Sequence, residues 1–448
     1  MTSSPENQWL GHPKGLFVLF MTELWERFSF YGMRAILVLY LTASVTGLNP
    51  GLGWTNAEAL TFYGWYGFSV YMASLPGGYL ADRFLGQKKT VLIGALLLAI
   101  GHLILAIQTM WAFYLGIFLI VLGVGLLKPN ISTMVGGLYA QHDPRRDKGF
   151  TIFYIGINLG AAFAPIMVGW VAYQYGWHYG FALAGIGMLL SLILYIQGQK
   201  HLAEVGNFLG KSSDLEDRTK LNQPLTRVEK DRVWVLMLSF LIVITFWGAY
   251  EQAGGLMNLY AEQKTYRQFM GMEIPASWFQ SLSGIFVITL GTAVANFWAR
   301  NARKGRESSS LAKMAIGTMI MGSGFFFMTA AALQAQQTGQ AAMYWLILAY
   351  LFHVIGELSS SPVALSFITK LAPAQYASII MGAYWAATGL GEKLAGQLGA
   401  WSQTWGELET FTGIAVFCIL FGSLILLLLK PLKRLTHGAD DHFAETTP

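Results

Sequence analysis

The chain has 448 residues, 54% hydrophobic and 12% charged, with a mean hydropathy of +0.47 and a formal net charge of +5. A soluble domain carries about 25% charged residues. Half that share, spread around apolar runs of membrane-spanning length, excludes an ordinary water-soluble fold and predicts an all-α polytopic membrane protein; a transmembrane barrel would show short alternating strands instead.

The single cysteine, Cys418, excludes an intramolecular disulfide and any multi-cysteine metal site. The first 14 residues are polar, and the apolar run after them is too long for a signal-peptide core, so it reads as an uncleaved first helix. Twelve candidate spans follow in order, at about 16–41, 57–80, 90–107, 111–135, 150–173, 180–196, 233–260, 277–298, 311–332, 344–368, 376–398 and 411–429. The one long polar segment, from "GQKHLAEVGN" to "TRVEKDR", divides them six and six. No letter-by-letter repeat relates the halves, so internal symmetry rests on hydropathy alone. The expected organisation is an N-terminal six-helix bundle over 1–198, a cytoplasmic linker over 199–231, and a C-terminal six-helix bundle with a short tail over 232–448. That linker is polar and too short for two extra inter-bundle helices.

Basic residues gather in alternate loops. One side holds Lys14, Arg83, Lys88, Lys89, Arg145, Arg146, Lys148, the linker, Arg300, Arg303, Lys304, Arg306, Lys370, Lys430, Lys433 and Arg434; the other holds Lys264 and Arg267. The positive-inside rule therefore places both termini in the cytoplasm. Cations dispersed in this way also exclude a nucleic-acid surface.

Ionisable residues inside the spans mark the candidate site, because charge in the bilayer core is costly and must face protein or water. In span 1, "ELWERFSFYGMR" carries Glu23, Glu26, Arg27, Tyr31 and Arg34. At 100° per residue they fall within roughly 140° of one helix face. The alternative is an ion-pair network that only fixes helix packing. Between spans 2 and 3, "GGYLADRFLGQKKT" places Asp82 and Arg83 before a turn at Gly86. This G-x-x-x-D-R-x-x-G pattern resembles the loop between helices 2 and 3 of the major facilitator superfamily.

"GLLKPN" in span 4 adds Lys128, which could also snorkel to an interface. "FYIGINLG" in span 5 adds Asn158, with an interhelical hydrogen bond as its plainer reading. "ITFWGAYEQAGG" adds Glu251, "HVIGELSSSPVALS" adds Glu357, and "YWAATGLGEKLAG" adds Tyr384, Trp385, Glu392 and Lys393. His353 and Glu357 share a face, but a third metal ligand at suitable spacing is missing. There is no H-E-x-x-H, no G-x-S-x-G and no aspartate pair suited to intramembrane proteolysis, so an enzyme is not expected.

Taken together, "ELWERFSFYG", "GGYLADRFLG", "LLKPN", "FYIGINLG", "FWGAYEQAG" and "GELSSSPVALSFITKLAP" resemble, in order, the motifs of the proton-dependent oligopeptide transporter family of the major facilitator superfamily. The resemblance implies a symporter that imports di- and tripeptides by alternating access, with a proton as coupling ion and no cofactor or metal. Glu23, Glu26 and Arg27 would couple the proton, with Lys128 and Glu357 as a further pair across the halves. Arg27, Arg34 and Lys128 would receive the peptide carboxylate, and Glu357 with Asn158 the amino group. Tyr31, Tyr71, Glu251, Ser283, Tyr384 and Trp385 would complete the pocket. Three positions depart from the family pattern: Phe30 replaces a tyrosine, Ser283-Gly284 stands where Asn-Pro is usual, and Tyr384 holds a usual tryptophan position with Trp385 next to it. A same-fold symporter for another anion or zwitterion, such as nitrate or a modified amino acid, is the alternative. The expected setting is a prokaryotic inner membrane, with the protein acting as a monomer.

Overall fold

The computed structural model describes residues 8–140, 143–202, 205–207, 224–304, 308–373 and 376–440. Most of the expected linker, together with Arg306 and the last eight residues, lies outside the described residues. Two compact units emerge. The first comprises Met1–Ser212, Gly254–Gln263 and Arg267–Ile288; the second comprises Ser213–Ala253, Lys264–Tyr266 and Thr289–Pro448.

In the first unit, helices α1 (Lys14–Thr42), α2 (Asn56–Leu80), α3 (Gln87–Leu105), α4 (Met110–Gly137), α5 (Arg146–Tyr175) and α6 (Trp177–Gly198) pack chiefly as α3 on α4, α1 on α5 and α6, α2 on α4, and α3 on α6. Starts and stops follow local chemistry. Thr55 and Glu58 form a capping box at the head of α2. A π-helical turn, Ala81–Leu85, ends at Gly86, whose φ of 74° only glycine adopts readily.

Glycine sets the close approaches. A Cβ at Gly94 would stand 2.8 Å from Gly123 O, and one at Gly101 2.9 Å from Gly116 O, so α3 and α4 meet backbone to backbone. Pro129 lies inside α4. It cannot donate to the carbonyl four residues back, and that carbonyl, Gly125 O, faces Gly77 of α2, where a Cβ would lie 2.0 Å away.

The second unit contains α7 (Arg227–Tyr250), the later part of α9 (Ser281–Arg303), α10 (Ser310–Thr338), α11 (Met343–Leu371), α12 (Ala377–Trp405), α13 (Glu407–Leu427) and the short α14 (Leu429–Leu435). Its main pairings are α10 on α11, α10 on α13, and α7 on α12. These match α3 on α4, α3 on α6 and α1 on α5 in the first unit. The match extends to detail. Gly317 and Gly356 bring α10 and α11 together as the glycine pairs do in α3 and α4. Single glycines with φ of 120° and 100°, Gly176 and Gly406, turn α5 into α6 and α12 into α13.

Between the long helices, α8 (Leu256–Lys264) follows a 3₁₀ turn, Glu251–Ala253. The span expected at about 233–260 is present, within Arg227–Lys264, and is broken inside: the helix stops at Tyr250 and restarts at Leu256. The sequence Gly254-Gly255 weakens helix there, and a Cβ at Gly254 would stand 2.0 Å from the Tyr63 hydroxyl.

Nine helical segments among the described residues are long and apolar enough to cross a membrane. Helices α1, α2 and α12, of 29, 25 and 29 residues, match them in length and are more polar. In α1 the reason is the set Glu23, Glu26, Arg27 and Arg34.

Candidate functional site

The polar face of α1 is buried in the first unit. Glu23, Glu26 and Arg27 are 3%, 1% and 4% exposed. The Arg27 guanidinium donates from Nε and Nη2 to the Glu26 carboxylate, with Nη2 2.8 Å from Oε1. Its Nε also stands 3.1 Å from Glu23 Oε1. One cation thus serves two carboxylates in a space shielded from water, where removing one partner leaves uncompensated buried charge. The α1 backbone is pressed close to α5 at this level, since a Cβ at Gly160 would lie 2.8 Å from Arg27 Cβ.

Two turns along, Arg34 donates from Nε to the Tyr63 hydroxyl of α2 at 2.7 Å. Aromatic rings line the cations: Arg27 lies 5.1 Å from the Phe30 ring centre, Arg34 6.0 Å from that of Tyr31, and Lys128 Nζ 4.2 Å from that of Tyr71. Such contacts hold a cation while leaving its N–H groups able to meet an anion. Phe30, the departure from tyrosine, supplies a π face to Arg27 without a hydroxyl. Asn158 is buried in α5 and donates to Tyr154 O of its own helix at 2.9 Å. Ser283 lies half-buried at the start of α9, and Gly284 beside it lets α9 close on α5, because a Cβ there would stand 2.6 Å from Ala162 N.

In the second unit, Glu357 of α11 accepts a hydrogen bond from the Tyr250 hydroxyl at 2.5 Å. Tyr250 is the last residue before the helix break, and Glu251 inside the break is 3% exposed. Gln252 braces the break by donating to Gly248 O and to Ala395 O, each at 3.0 Å. A broken membrane helix beside an ionisable residue is a recurrent way to build a transporter site. Tyr384 is buried in the core between α7 and α12, whereas Trp385, 5.1 Å away ring to ring, is only partly buried.

The first unit therefore brings together Glu23, Glu26 and Arg27, joins Arg34 to Tyr31, and sets Lys128 on Tyr71. The second joins Glu357 to Tyr250 and Tyr384 to Trp385. Sequence reasoning missed Tyr63 and Tyr250 as partners. Tyr250 was visible next to Glu251 in "GAYEQAGG", whereas Tyr63 is one of several aromatics in α2 and its selection required the packing.

A family profile described as PTR2, POT family, matches residues 88–215 and 218–407. The peptide transporter YePEPT of Yersinia enterocolitica is 34% identical, with 98% of each chain covered. A di-/tripeptide transporter of Lactococcus lactis subsp. cremoris is 33% identical over 96% of this chain and 98% of its own. The crystal structure of a mutant peptide transporter POT in complex with alafosfalin superposes with a TM-score of 0.89 at 34% identity, covering 97% of this chain and 98% of that one. The apolar helices and these relatives make the protein a multi-pass membrane protein and a transporter rather than an enzyme; the chain belongs to the POT family.

Proposed function

We propose that this protein is a proton-coupled symporter that imports di- and tripeptides by alternating access. The observation that carries the reading is Arg27 held by both Glu23 and Glu26, all three buried. While both carboxylates are charged, they hold Arg27 through its Nε and Nη2. A proton arriving on either one weakens its hold and frees guanidinium N–H groups for a peptide carboxylate, a charge-assisted bond that Arg forms well. Arg34 and Lys128 add positive charge for the same end. Glu357, positioned by Tyr250, receives the amino group, with Asn158 assisting. Glu251, Ser283, Tyr31, Tyr71, Tyr384 and Trp385 shape the rest of the pocket.

A peptide is a zwitterion whose end charges keep a nearly constant separation, so groups that read the two ends accept many side chains. Empty, the two poles pair through Lys128 and Glu357; filled, they are occupied by substrate, which suits alternating access between two six-helix bundles. One charge moving through about 150 mV supplies roughly 3.5 kcal/mol, or about two and a half decades of accumulation. Twelve spans, no inter-bundle helices, cytoplasmic termini, a prokaryotic inner membrane and a monomeric working unit complete the proposal. The test is uptake of labelled dialanine into proteoliposomes with and without an inward proton gradient. Accumulation that needs the gradient and is released by an uncoupler supports it. Uptake indifferent to the gradient removes the coupling, and no uptake or binding removes the peptide.

A further inference from the structure

Helix α9 is unusual among the long helices. From Thr289 to Arg303 none of its residues is buried. Beside this stretch, against α10 and α11, lies a cavity of ≈ 750 Å³. Its α9 wall is a stripe at helical spacing, Leu290, Val294, Phe297 and Asn301, and Lys304 follows in the turn directly after the helix ends at Arg303. The α10 wall is Ile316 and Ile320, and Lys313 precedes them by one turn with its Nζ 5.8 Å from the Trp298 ring centre. Trp298 bridges the groove by donating to Ser359 of α11 at 3.3 Å. Ile355 and Ser359 line it and stand two residues either side of Glu357, about 200° away round the helix. The groove therefore backs away from the face that carries Glu357.

An apolar slot in membrane helices, with Lys313 against its Trp298 wall and Lys304 three residues beyond its Asn301 wall, is complementary to a lipid with a negative headgroup. No carboxylate lines it among the described residues. We propose that the groove holds the acyl chains of an anionic phospholipid from the leaflet on the basic side of the membrane, with its phosphate between Lys304 and Lys313. The chains fill space that the thin packing of α9 leaves open, and the lysines select the headgroup.

The test is native mass spectrometry of the full-length protein offered phosphatidylglycerol or phosphatidylcholine with identical chains. Wild type should retain phosphatidylglycerol preferentially. Lys304→Gln with Lys313→Gln should lower that retention about thirtyfold, at the usual attraction per basic residue near a charged lipid surface. Ala293→Phe, at an exposed position on the groove wall, should expel both lipids while monodispersity and helicity remain unchanged. Equal retention of the two lipids, or a preference that survives the paired lysine change, overturns the proposal. So does lipid retention in a folded Ala293→Phe protein. Thermal stabilisation by glycerol phosphate matching that by phosphatidylglycerol would also overturn it, by showing a free-anion site without a role for the chains.

Discussion

Glutamine in place of Glu23 and Glu26 keeps shape and hydrogen-bonding capacity but removes the titratable charge. The paired change Glu23→Gln plus Glu26→Gln should abolish gradient-driven accumulation of dialanine in proteoliposomes. Proton-dependent uptake that persists in this variant would end the role assigned to these carboxylates. At the other pole, Tyr250→Phe removes the hydroxyl that reaches Glu357 at 2.5 Å. Hydrogen bonds to charged groups contribute roughly 1.5–3 kcal/mol, so peptide affinity should fall by about tenfold or more. Tyr63→Phe should weaken binding through Arg34 in the same way. Titration calorimetry with dialanine measures both, and unchanged affinity in either would show that the hydroxyl does not position its charged partner. The charged members of these clusters were legible in the sequence because charge inside an apolar run has few explanations. Their tyrosine partners were not, because aromatics are common in membrane helices and only packing selects among them.

Adjacent glycines in the "GGYLADRFLG" stretch make opposite predictions for the helices that carry them. A Cβ at Gly77 would lie 2.0 Å from Gly125 O, while one at Gly78 meets nothing within 4 Å. Gly77→Ala should therefore destabilise by about 1–3 kcal/mol through overpacking. Gly78→Ala should be neutral or gain up to about 1 kcal/mol from helix propensity. Thermal unfolding followed by light scattering separates them, and equal midpoints would refute the close contact of α2 with α4. Another element-scale prediction concerns the hairpin formed by β1 (Gln8–Trp9) and β2 (His12–Pro13), which docks through His12 Nδ1 and the Tyr139 hydroxyl, 2.8 Å apart. Burial first, then the Arg145 guanidinium, lowers the His12 pKa from its ordinary value of 6.5. A lowered folded value means that the undocked state binds the proton more tightly. Docking is then full above about pH 6.5 and weakens as pH falls below it. Hydrogen exchange at Trp9 and His12, corrected for intrinsic rate, should show less protection at pH 5 than at pH 7.5; equal protection would deny His12 this role. Neither the glycine contact nor the hairpin could be read from helix periodicity, which reports which face is apolar and not which backbone lies against it.

For the whole molecule, the orientation inferred from basic loops is open to direct test in a Cys418→Ala background. A membrane-impermeant maleimide added outside should label Gln340→Cys and spare Lys433→Cys until the membrane is opened. The reverse pattern would invert the topology and with it the direction of import. Composition, span lengths, the placement of lysine and arginine, and the motif order were sufficient by themselves to determine the class of protein, its helical content and its family, because the bilayer punishes every unpaired backbone group and every unshielded charge. Internal symmetry was different. The halves share no recognisable letters, yet α3 on α4 recurs as α10 on α11, and Gly176 recurs as Gly406. The repeat is conserved in helix pairing and turn geometry, which many sequences satisfy. Only the tertiary structure decided the break after Tyr250, the partners of Arg34 and Glu357, and the open groove beside α9. Each depends on residues far apart in the chain meeting at a few ångströms, and local hydropathy carries no record of such meetings.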